Sequence, residues 1–188
     1  MIKIGITGSL ASGKTTASRI LSYKRGPLFS ADKVVKDLYR NKHIKLLIFK
    51  KFKIKKNNQI KQSLKKLILE NKKNIRKLEK ILHPLVRKKM KRFTLQNRNK
   101  RFLFYEIPLL IESKLMKYFN VIIFIKAKKK LRLKRFYSNK KDKKVFNLLN
   151  NKQMKDSKKI KFCDHVVVNE KNLSILKKNL SGIMSKYE

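Results

Sequence analysis

A chain of 188 residues with 41% hydrophobic side chains has room for one domain with a proper core, which excludes a disordered basic tail. Its 53 lysines and arginines against 11 acids give a net charge of +42, a balance that alone would suggest nucleic acid. The bases run from Lys3 to Lys186 without forming a stripe, lysine dominates, and the excess of Lys, Asn, Ile and Phe is what A/T-rich codons give, so no specific nucleic-acid partner is expected.

Residues 2–7, IKIGIT, are apolar and β-branched, as in a buried strand. Gly8 to Gly13 form a loop and TTASRILSY continues as a helix. PLFS at 27–30 follows the Gly26-Pro27 turn as a second short strand. From Asp32 to about Gln96 the pattern is helical, without glycine and with Pro84 as its only punctuation. FLFYE at 102–106, NVIIFIK at 120–126 and HVVVN at 165–169 are three further strands. Residues 128–158 are lysine-rich and helical, and 171–186 form a closing amphipathic helix. Strands alternating with helices predict an α/β fold with a parallel sheet of about five strands. The single Cys163 excludes an internal disulfide. No apolar run approaches the roughly 18 residues of a membrane span, and no signal-peptide core is present. A soluble, cytoplasmic protein is expected.

The chain spends three of its five glycines between residues 5 and 13. Gly8-Ser9-Leu10-Ala11-Ser12-Gly13-Lys14-Thr15 fits G-x-x-x-x-G-K-[ST] in full, between a strand and a helix. Glycine lets successive N–H groups turn inward around phosphate oxygens. The helix that starts there adds its positive dipole end. Lys14 is placed to reach the β- and γ-phosphates, and the Thr15 hydroxyl to ligate Mg²⁺. The loop therefore predicts a nucleoside triphosphate, without saying what becomes of its terminal phosphate.

No aspartate has glycine three residues on, which excludes a GTPase with a D-x-x-G switch. Asn139-Lys140-Lys141-Asp142 mimics the guanine motif N-K-x-D, but it lies in a lysine-rich stretch and not at a strand end. A motor ATPase would follow an apolar strand with paired acids, and FLFYE supplies only Glu106. A small-molecule kinase fits better. With only 11 acids in the chain, each is a stronger functional candidate than usual. Asp32, just after the second strand, is suited to accept a hydrogen bond from an attacking hydroxyl; a helix N-cap is its structural alternative. Glu106 is suited to hold a Mg²⁺-bound water.

These segments, in this order, resemble the dephospho-CoA kinases, P-loop enzymes that phosphorylate the ribose 3′-hydroxyl of dephospho-CoA with ATP. ITGSLASGKTT resembles the family's opening, and FSADKVVKDLY its D-A-D segment, with Ser30 in place of the first Asp and Asp32 on the catalytic one. LEKILHPLVRKKM at 78–90 matches L-E-x-I-x-H-P-x-V-R through Glu79, His83, Pro84 and Arg87. EIPLLIES resembles D-x-P-L-L-x-E through Glu106 and Glu112, and 150–169 resembles the ending of the pattern through Gln153, Met154, Asp164 and Asn169.

The resemblance implies a P-loop kinase core over 1–31, 100–127 and 159–188, a helical substrate region over 32–99 and a lid over 128–158. It implies ATP·Mg²⁺ on Gly8, Ala11, Ser12, Gly13, Lys14, Thr15 and Thr16, with Asn169 at the adenine edge and the metal on Thr15 and Glu106. It further implies that Asp32, Lys14 and Arg135 carry the catalysis and that His83, Arg87 and Glu112 bind dephospho-CoA. The family's lid pattern R-x-x-x-R-D is incomplete, since Arg135 is followed by Asn139 and Lys140; Arg132, Lys140 or Lys141 is then the substitute cation. Two other readings stay open. One is a P-loop kinase of a nucleoside monophosphate or a shikimate-like acceptor, and the other is a basic ATP-dependent nucleic-acid protein.

Overall fold

The protein is described by a computed structural model that covers residues 1–54, 60–71, 73–138 and 143–188. It divides into two compact units, Met1–Ser30 with Asn97–Glu188, and Ala31–Gln96.

The first unit is built on a five-stranded parallel sheet. Its strands are β1 (Ile2–Gly8), β2 (Leu28–Ser30), β3 (Phe102–Glu106), β4 (Val121–Lys126) and β5 (His165–Val168), in the spatial order β2-β3-β1-β4-β5. β3 is buried at every position and β4 at all but its last. That is why both read as continuous apolar runs, as strands covered on both faces do. One face packs Ile4 and Ile6, Phe102 and Phe104, and Ile123 and Ile125 against helices α1 (Lys14–Ser22) and α9 (Leu173–Met184). Leu176, Leu180 and Met184 form the buried stripe of α9 at helical spacing. Asn172 caps that helix, its side chain accepting from Ile175 N at 3.0 Å. On the opposite face Gly5 is tightly covered: a Cβ there would lie 2.7 Å from the end of the Leu110 side chain and would make it shift.

The chain leaves β1 at the centre of the sheet and next enters it at the β2 edge, beyond β3. The strand order therefore reverses beside β1, and the loop after β1 opens where a parallel sheet offers a ligand crevice.

The second unit is helical: α2 (Ala31–Leu38), α3 (Lys42–Phe52), α4 (Ile60–Glu70) and α5 (Lys73–Gln96). Leu38, Ile48, Phe49, Leu64, Leu78 and Leu82 make its core. Pro84 does not punctuate here; α5 runs straight through it. Proline removes the bond to the carbonyl of residue 80 and crowds that carbonyl with its ring; Lys80 and Pro84 are both exposed, so the carbonyl can tilt outward and be taken by water. In the first unit three more helices follow β4: α6 (Lys129–Tyr137), α7 (Lys143–Lys152) and α8 (Asp156–Ile160).

Ile123 is fully buried in the middle of the sheet. Ile123→Ala is expected to cost about 2–5 kcal/mol, read as a lower urea midpoint at unchanged slope. A native midpoint would show that this face of the sheet is not the core that holds the fold.

Candidate active site

The loop between β1 and α1 is held in an unusual backbone course. Gly8 has φ 150°, Ala11 59° and Gly13 94°. Such alternation turns neighbouring N–H groups toward one concavity, the geometry of an anion nest. At two of these positions a side chain would meet both a positive φ and a close neighbour. A Cβ on Gly8 would lie 2.4 Å from the Ile125 carbonyl oxygen, and one on Gly13 would lie 2.1 Å from Asn169 Nδ2.

The second contact has a purpose. Asn169 Nδ2 donates to the Ser12 carbonyl at 2.9 Å, and Arg135 Nη1 approaches the same oxygen at 3.4 Å. The Ser12 carbonyl and the Gly13 N–H belong to one planar peptide. Holding the oxygen outward therefore aims the N–H inward. Asn169 is itself fixed where β5 ends, its backbone N–H donating to Lys126 O at 2.8 Å.

Lys14 opens α1 and is buried, its ammonium donating to Ser9 O at 2.8 Å. That places a charged donor across the concavity, folded along the loop. Thr15 Oγ1 donates to Glu106 Oε1 at 2.5 Å, and Ser30 Oγ donates to Glu106 Oε2 at 3.0 Å. Register explains the meeting: Ile6, Glu106 and Ser30 lie level on adjacent strands. Glu106 continues the Phe102–Phe104 row, which faces α1. Thr16 is exposed on the first turn of the helix.

The 128–158 segment reaches the same loop. Arg132 is buried and donates to Ala127 O, Leu10 O and Asn150 Oδ1 at 3.2, 3.3 and 2.9 Å. Burial pulls its guanidinium below the usual range, and the nearby Asp156 partly offsets this. Gln153 Oε1 accepts from Leu10 N at 3.1 Å, and the Asp156 carboxylate accepts from the Ser9 hydroxyl. A cleft of about 380 Å³ lies beside this half of the loop, with Arg132, Asn150 and Gln153 among its walls.

The first unit thus brings together Gly8, Ala11, Ser12, Gly13, Lys14, Thr15, Glu106, Arg135 and Asn169. Glu112 is in the same unit, its Oε1 accepting from Met154 N at 3.1 Å. Asp32 sits in the first turn of α2, and His83 and Arg87 lie one turn apart on α5; these three belong to the helical unit. Asn139, Lys140 and Lys141 lie outside the described residues. The sequence reading had no role for Asp156, Asn150 or Lys159. Asp156 alone left a signal, as one of only 11 acids in the chain.

The dephospho-CoA kinase family model matches residues 2–174. The chain belongs to the dephospho-CoA kinase family. A dephospho-CoA kinase of Bartonella quintana is 34% identical over 90% of both chains. One of Rickettsia bellii is 31% identical over 100% of this chain and 98% of its own. Among solved structures, the dephospho-CoA kinase from Campylobacter jejuni superposes with a TM-score of 0.67 at 26% identity, covering 98% of this chain and 96% of its own. The family supplies the P-loop kinase fold seen here and a nucleotide-dependent phosphotransfer for the loop to serve.

Two outcomes follow. Asn169→Ala frees the Ser12 peptide and is expected to weaken ATP binding about tenfold, the scale of one buried hydrogen bond left unmade; unchanged affinity in equilibrium binding would show that the loop holds its shape unaided. Cys163 is half-buried, and its thiol is pushed up to about 11 by burial, then by Asp164, with Lys159 opposing. It stays a protonated thiol at pH 8. Iodoacetamide should label native protein far more slowly than urea-unfolded protein; equal rates would contradict that environment.

Proposed function

We propose that this protein transfers the γ-phosphoryl group of ATP to the ribose 3′-hydroxyl of dephospho-CoA, giving coenzyme A and ADP, and that it does so in the cytoplasm. The observation that carries this reading is the complete phosphate loop, backed at one strand end by the Thr15–Glu106–Ser30 contact, in a chain of the dephospho-CoA kinase family.

The residues divide the work. Backbone N–H groups of the loop and the start of α1 take the β-phosphate. Lys14 exchanges the Ser9 carbonyl for phosphate oxygens and neutralises charge there. Mg²⁺ fits the donors present: the Thr15 hydroxyl offers a hard oxygen to the ion, and Glu106, hydrogen-bonded to that hydroxyl, is suited to hold one of its waters, with phosphates and further water completing the shell. Among the described residues no group of three or more His, Cys, Asp and Glu forms a protein-only cage. When bound, the ion neutralises phosphate charge during transfer. Ser30, standing where the family pattern has Asp, contributes a hydroxyl that orients Glu106.

Asp32 follows Ser30 by two residues and takes the role of orienting the 3′-hydroxyl and accepting its proton. His83 and Arg87 hold the acceptor, Arg87 through a phosphate. Arg135 supplies positive charge beside the loop and offsets charge on the transferring group.

The experiment is an ADP-release assay with dephospho-CoA as acceptor. Asp32→Asn is expected to lower kcat at least about a hundredfold with little change in the KM for ATP; equal rates would remove Asp32 from the chemistry. Glu106→Gln should raise the Mg²⁺ concentration for half-maximal rate about tenfold, as losses around a metal site do. An unshifted Mg²⁺ dependence would place the ion elsewhere.

A further inference from the structure

In a chain with 53 lysines and arginines, nearly all the cationic charge can stay in water at no cost. Lys159 does not. It is 0% exposed on α8, with its ammonium 2.7 Å from Glu112 Oε1. A buried ammonium is costly unless paired, so its burial has to be explained by what the pair holds.

Glu112 comes from the turns that follow β3, and it gathers two points of one segment. Its Oε1 takes the Met154 N–H at 3.1 Å and also meets Lys159, five residues on. Glu112 Oε2 has no hydrogen-bond partner among the described residues, and the Lys159 ammonium meets Oε1 as an ion pair without hydrogen-bond geometry, so the pairing is concentrated on one oxygen. Between these two anchors the segment sends out Asp156, and just before them Gln153. Those are the side chains that engage the Ser9 hydroxyl and the Leu10 N–H of the phosphate loop. Asp156 and Lys159 stand three apart on α8 and so share a face. The segment is thus tied both to Glu112 and to the loop.

We propose that Glu112 and Lys159 are a positioning pair for the phosphate loop. They fix the 153–156 turn at the place where Gln153 and Asp156 set the course of Ser9 and Leu10. The proposal rests on the loop being the ATP site. It also gives Glu112 a different task from the substrate contact that the resemblance implies, and the two tasks make opposite predictions.

The test is a double-mutant cycle on the full chain with Glu112→Gln, Lys159→Met and the double variant. ATP binding, the KM for ATP and the KM for dephospho-CoA are read separately. Each single variant leaves a charge uncompensated, fully buried for Lys159 and half-buried for Glu112, and should raise the KM for ATP about tenfold, a typical coupling between contacting residues, with the KM for dephospho-CoA unmoved. The double variant keeps an acceptor for Met154 N and should recover most of the loss. Should Lys159→Met fail to fold, the near-isosteric Glu112→Gln still reads the split between the two KM values.

A rise confined to the KM for dephospho-CoA would overturn the proposal and make Glu112 a substrate ligand. Additive losses in the double variant would overturn it as well. So would lower unfolding midpoints with the KM for ATP unchanged, which would make the pair merely structural. Native protein that binds ATP beside unaffected variants sinks this proposal alone. Native protein that does not bind ATP sinks the reading of the loop, and the proposal with it.

Discussion

The Ser12–Gly13 peptide is the hinge of this structure. An inward N–H at Gly13 requires an outward carbonyl at Ser12, and that oxygen is held by Asn169 from the far end of the chain. Residue 13 has φ 94°, a conformation that favours glycine, and a Cβ there would displace the Asn169 amide. Much of the fold can be understood as delivering those groups to one spot. β1 ends at the loop, β4 lends the Ile125 carbonyl that forbids a side chain on Gly8, and β5 ends at Asn169.

A second constraint is charge. A loop built to hold phosphates concentrates donors, here Lys14 and the nearby Arg132 and Arg135. The structure balances them with few acids. Glu106 faces Thr15 and Ser30, Asp156 sits by Ser9 and Arg132, and Glu112 answers Lys159. Three of the chain's 11 acids thus lie in the first unit on or behind the loop. Most of the other lysines and arginines among the described residues are exposed or half-buried, where solvent screens their charge.

What could be read from the sequence was what is local. The phosphate loop announces itself because its glycines, lysine and threonine act within eight consecutive residues, and the strands because a doubly covered sheet needs unbroken apolar runs. Glu106 was readable as an acid ending such a run. Long-range partners were not. Asn169 and Ser12 stand 157 residues apart, and Asp156 and Ser9 147 apart; only the sheet order brings them together. Lys159 was hidden for a different reason, since composition cannot tell one buried lysine from dozens of solvated ones. Pro84 misled because its cost depends on whether water reaches one carbonyl, which is a property of the folded surface.

The central claim is that this loop grips a triphosphate through its backbone and Lys14. Calorimetric titration of the native chain with ATP and Mg²⁺, beside Lys14→Met, tests it most directly. Saturable one-to-one binding that the variant loses is the predicted result. No binding by the native chain, or equal binding by the variant, would contradict it.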